Sequence, residues 1–121
     1  MNTWTSMRSA TIACIVAAGL ATPVAAQCPR FLYWAKTPVS ASNVPTCYSR
    51  VRAAANTYGL TGIRQSAQEV AGSKGGTYVA VTCVGAQPRA VAVVMAVGGN
   101  EADTRRVADE LRDKIARTQG L

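Results

Sequence analysis

The chain of 121 residues contains no histidine. That removes the commonest general base and the commonest metal ligand together. Neither a Ser-His-Asp triad nor a Cys-His pair can be assembled from it. Cysteines are few, four in all, and none stands in a C-x-x-C or other close pairing, so neither a zinc motif nor a dithiol redox motif is spelled out. Acidic residues are also scarce, 6 against 13 lysines and arginines, for a net charge of +7. No glycine-rich segment has phosphate-loop spacing: Gly72-Ser73-Lys74-Gly75-Gly76 lacks the G-x-x-x-x-G-K-[ST] pattern and reads as a mobile loop. Gly98-Gly99-Asn100 leads into a helix, but Glu101 and Asp103 in its first turn would repel an anion, so it reads as a capped turn. No catalytic residue, cofactor site or metal site is expected. An enzyme working through Tyr, Asp, Glu or Lys has no sequence support.

What the chain does have begins at its N-terminus. Arg8 precedes an apolar, alanine-rich stretch from Ala10 to Val24, followed by the small residues Ala25 and Ala26. This is the three-part plan of a secretory signal, with cleavage expected between Ala26 and Gln27. The uncharged run is shorter than the ~20 residues that span a bilayer, so no transmembrane segment is expected after cleavage. Gln27 before Cys28 does not suit lipid attachment, which wants a small residue there. The expected location is the periplasm or the medium. Removing residues 1–26 takes away Arg8 and no acid, leaving 12 basic and 6 acidic residues, +6. A chain of that size supports a viable but thin core.

Residues 27–46 read as an irregular lead-in arm, carrying the aromatic cluster Phe31, Tyr33 and Trp34 and then a connector with Pro38 and Pro45. The rest, 47–121, is expected to be one α+β domain. Its first helix runs from about Pro45 or Thr46 to Tyr58, with Cys47, Val51, Ala54, Ala55 and Tyr58 in one stripe and Gly59 as a stop. Three strands follow: a weak edge strand at about Gly62–Val70, a strong one at Thr77–Val84, and a very apolar one at Arg89–Val97. A second helix starts at the N-cap Asn100, with Val107, Leu111 and Ile115 at i, i+4, i+8. The expected fold is a small two-layer domain of order α-β-β-β-α, a three-stranded antiparallel meander with both helices packed on one face.

Cleavage leaves Cys28, Cys47 and Cys83, so an oxidising compartment permits one bridge and one spare thiol, or a bridge between molecules. Cys47 on the first helix and Cys83 on the second strand form the preferred pair; Cys28 with Cys47 is the rival. The third strand is apolar on both faces, Val91, Val93, Met95 and Val97 on one and Ala90, Ala92, Val94 and Ala96 on the other. An antiparallel sheet with one wet face alternates instead. Neither face is therefore expected to be open to water: either the arm with Phe31, Tyr33 and Trp34 folds over the second face, or a second copy does.

The function expected is that of an exported, non-catalytic binding or accessory domain of a bacterial-type cell envelope. It would act through an unidentified envelope protein or as a homodimer, with Phe31, Tyr33 and Trp34 as candidate interface residues. The alternative is a polyanion or anionic membrane-surface binder through Arg64, Arg89, Arg105, Arg106 and Arg112. Against it, no basic run is dense, and several arginines have carboxylate neighbours.

Overall fold

The computed structural model describes residues 30–118. The expected signal segment, its cleavage point and Cys28 lie outside the described residues. The element order is β1 (Phe31–Pro38), α1 (Val44–Tyr58), β2 (Thr61–Gln65), β3 (Val70–Lys74), β4 (Thr77–Val84), β5 (Val91–Gly98) and α2 (Glu101–Arg117). The expected α-β-β-β-α order with a three-stranded meander is therefore wrong. The domain is β-α-β-β-β-β-α, with one five-stranded antiparallel sheet in the order β1-β5-β4-β3-β2.

Two errors account for the missing strands. Residues 31–38, expected to be irregular, form β1 and pair along their whole length with β5, from Phe31 opposite Gly98 to Pro38 opposite Val91. Phe31, Leu32, Tyr33 and Trp34 are good strand formers, and Pro38 is tolerated because it sits at the end of an edge strand. The segment expected as one edge strand at Gly62–Val70 is two strands joined by a turn. Ser66 makes that turn: its Oγ accepts from the backbone N–H of Gln68 (3.1 Å) and Glu69 (3.2 Å), and its own N–H donates to the Glu69 carbonyl (2.9 Å). β3 then continues through Gly72, Ser73 and Lys74, expected as loop, and only Gly75-Gly76 turns into β4.

Both helices start and stop where side chains permit. The Asn43 side chain accepts from the Thr46 N–H (2.9 Å) at the head of α1, with Pro45 in its first turn. Gly59 ends α1 at φ 92°, a left-handed conformation suited to glycine. The Asn100 side chain accepts from the Asp103 N–H (2.9 Å) at the head of α2; Glu101 and Asp103 sit in its first turn, Lys114 and Arg117 in its last.

One face of the sheet, the inner face, is closed by the helices. Ala92, Val94 and Ala96 of β5, Val79, Val81 and Cys83 of β4, and Val70 of β3 are buried with Cys47, Val51, Ala54 and Ala55 of α1 and Val107, Leu111 and Ile115 of α2. The small residues of β5 let α2 approach closely. At Gly98 the approach is tightest: a Cβ there would lie 2.5 Å from Thr104 Oγ1 and 3.1 Å from Thr77 Oγ1. A disulfide joins Cys47 of α1 to Cys83 of β4, with Cα atoms 6.2 Å apart, and ties the helix layer to the sheet.

Candidate functional site

Among the described residues, the other face of the sheet carries no helix. Strand alternation and register place the same-face residues in rows. One row is Leu32, Val97 and Tyr78; the next is Trp34, Met95 and Ala80; then come Lys36, Val93 and Thr82, and Pro38, Val91 and Val84. Trp34 is 63% exposed, Leu32 56%, Val84 48%, Met95 44% and Tyr78 38%, and these are the large hydrophobic side chains exposed among the described residues. All five lie on this outer face, across three adjacent strands. Single exposed apolar residues are ordinary on protein surfaces, whereas a contiguous group marks a contact surface.

The aromatic arm does not cover this face. It forms β1 at the sheet's edge, so the first of the two expected covers is not available. Alternation in β1 also divides the candidate interface residues. Only Trp34 points outward, joined by Leu32. Phe31 and Tyr33 point to the helix side, where the Tyr33 hydroxyl donates to Glu101 Oε2 (2.7 Å) and accepts from Arg105 Nη2 (3.1 Å). The Arg105 guanidinium also sits over the Tyr33 ring, 4.9 Å from its centroid. Sequence reasoning placed Met95 on an apolar face in need of cover but treated the arm as one cluster, and so did not join Leu32, Tyr78 and Val84 to that surface. The signal that could have found them was the i, i+2 spacing of Leu32 and Trp34.

The five candidate anion-binding arginines are not brought together. Arg105, Arg106 and Arg112 lie on α2 and are engaged by carboxylates: Arg105 with Glu101 (3.8 Å), Arg106 with Asp103 (3.2 Å) and Glu110 (3.4 Å), Arg112 with Asp109 (3.7 Å) and Asp113 (3.1 Å). The hydrogen bond to Tyr33 raises the Arg105 pKa further above its usual high value, and the bond to Asp103 does the same for Arg106. Arg64 is on β2 at the far edge of the sheet, opposite Ala71. Arg89 lies in the β4–β5 connection.

Comparison with protein-family models, with curated proteins and with solved structures gives no match.

A cleft of about 710 Å³ opens between the β3–β4 turn and the start of α2, lined by Ser73, Thr77, Tyr78, Asn100 and Asp103 among others. The charged side chain in it is Asp103, already held by Arg106, and the helix-terminal N–H groups of Asp103 and Thr104 are bonded to Asn100. Its charged side chain therefore has the wrong sign for an anion. Between the helices, the Tyr58 hydroxyl donates to Glu110 Oε1 (2.7 Å), and burial, then that bond, push the Tyr58 pKa up. This joins α1 to α2. No group of three or more metal-binding side chains occurs among the described residues.

Proposed function

We propose that this chain is an exported, non-catalytic binding or accessory domain of the cell envelope that acts through the outer face of its sheet, with a protein partner or a second copy seated there. The observation that carries the reading is that Leu32, Trp34, Tyr78, Val84 and Met95 are exposed together on that one face while the helices close the other. The Cys47–Cys83 disulfide fits an oxidising compartment such as the periplasm or the medium. No helix among the described residues is long and apolar enough to cross a membrane. A non-catalytic role is supported by the lack of histidine and by the engagement of the α2 carboxylates with arginine and tyrosine partners.

Oxidative footprinting tests this reading without assuming an occupant. Trp34, Met95 and Tyr78 should be protected in intact cells relative to the dilute purified protein. Equal labelling in both would overturn it.

A second reading, attachment to a polyanion or an anionic membrane surface, has one observation behind it. The charged side chains that the strands place on the outer face, Lys36 and Arg64, are both cations. Salt-sensitive retention on heparin, lost in a Lys36→Ala, Arg64→Ala variant, would favour it.

A further inference from the structure

We propose that the occupant of the outer face is a second copy of this chain, packed sheet against sheet about a two-fold axis running along β5. This rests on the reading of that face as a binding surface and names what fills it.

The argument comes from the order of side chains across the rows. A two-fold axis parallel to the strands and centred on β5 lays β1 of each copy over β4 of the other, at the same height along the strands. In the central row, Trp34 of β1 and Ala80 of β4 flank Met95. The operation therefore sets each Trp34 over the other copy's Ala80, a ridge over a notch, with the two Met95 side chains meeting on the axis. Trp34 is the most exposed of the large apolar side chains, and Ala80 is the smallest outward residue of β4. Packed sheets cross at about −30°. Such a crossing tilts the axis about 15° from β5 and, because Trp34 is one strand from it, about 4.8 Å away, offsets Trp34 from the other copy's Ala80 by about 2.5 Å.

The same operation resolves the charges. A surface whose charged side chains are all cations would repel its own copy if like charges met. Lys36 shares its row with Thr82, so each Lys36 comes over the other copy's threonine rather than its lysine. Arg64 on β2 is three strands from β5, beyond the single strand, β1, that the partner presents on that side. Arg64 therefore keeps its water, and Lys36 meets no second cation across the interface.

The area sets the strength. Three facing strands of eight residues give a flat footprint of about 14 Å by 26 Å, roughly 370 Å² per copy before side-chain relief. For the pair that is roughly 740 Å², below the ~1,200 Å² of standard specific interfaces, so the dimer is a weak, reversible one.

The test is a swap of ridge and notch, read by sedimentation equilibrium on the protein recovered from exporting cells. Wild type should pass from monomer to dimer across micromolar concentrations. Trp34→Ala leaves a void at each contact and Ala80→Trp sets two indoles against each other; each alone should weaken the dimer by roughly 30-fold or more. Mixing the two variants should restore a heterodimer, because each contact then holds one indole and one methyl group. Circular dichroism and thermal melting confirm that each variant folds; a variant that does not is replaced by Trp34→Leu or Ala80→Leu.

A wild type that stays monomeric to near-millimolar concentration overturns the proposal, as does a dimer that neither substitution weakens or that mixing fails to restore. A monomer that floats with phosphatidylglycerol vesicles overturns it in favour of a lipid surface. If the protein is monomeric yet Trp34 is protected in cells, the second copy is wrong and the binding face stands. If the protein is monomeric and Trp34 is unprotected in cells, both fall.

Discussion

The two sides of β5 differ in size rather than in polarity. Its inner residues are Ala92, Val94, Ala96 and Gly98; its outer residues are Val91, Val93, Met95 and Val97. The inner set is the smaller because helix backbones must come close, and at Gly98 no side chain at all fits beneath Thr104. The outer set is bulkier and meets no helix among the described residues. Apolar character alone therefore does not tell which face of a strand is the core; the small residues do.

Breaking the tie between the helix layer and the sheet should have the largest effect. Replacing Cys47 and Cys83 together by serine removes a crosslink spanning 36 residues. In the chain-entropy picture this lowers stability by about 4 kcal/mol. Urea unfolding measures it, and added reductant should shift the wild-type midpoint but leave the variant unmoved. A smaller effect separates the two faces within adjacent residues. Val94→Ala, on the fully buried side, should cost about 2 kcal/mol, whereas Val93→Ala, on the outer side, should stay within about 0.5 kcal/mol for the monomer. Equal costs in dilute solution would erase the distinction between the faces.

The smallest effect sharpens the comparison through pH. The Tyr58 hydroxyl, desolvated between the helices and bonded to Glu110, has its pKa raised above the ordinary value of 10.0. Unfolding frees it to ionise more readily. Its contribution is therefore complete below pH ~10, the unfolded tyrosine value, and is lost progressively as pH rises above it. Melting curves across that range should show a steeper alkaline decline in wild type than in Tyr58→Phe.

Several elements were legible because their signals are local. Asn100 capping α2, the Val107-Leu111-Ile115 stripe, Gly59 ending α1 and the β-formers of β4 each lie within a few residues of what they determine. The Cys47–Cys83 pairing followed from a helix stripe placed beside a strand. The outer face was half legible: Val91, Val93, Met95 and Val97 stood out as one apolar face of β5, but nothing local joined Leu32, Tyr78 and Val84 to it. β1 was missed because its partner lies at the other end of the domain and its aromatics are followed by loop-like composition. The β2–β3 turn was missed because it rests on Ser66 alone, without the glycine, proline or asparagine that usually mark one. The carboxylate neighbours of the α2 arginines were legible because i,i+3 and i,i+4 pairs on a helix are local in sequence.

The pairing of β1 with β5 also governs the order in which this chain can become itself. Phe31 meets Gly98, and among the described residues β1 hydrogen-bonds to no strand other than β5. A chain made from its N-terminus presents Phe31, Leu32, Tyr33 and Trp34 long before β5 exists to receive them. The hairpins from β2 to β5 can assemble as they emerge, but the first strand must wait for the last, and its loop closes late. Until then the segment with the most aromatic surface has no sheet to join. The interval between its emergence and the arrival of β5 is when a nascent chain of this protein most needs shelter from other chains.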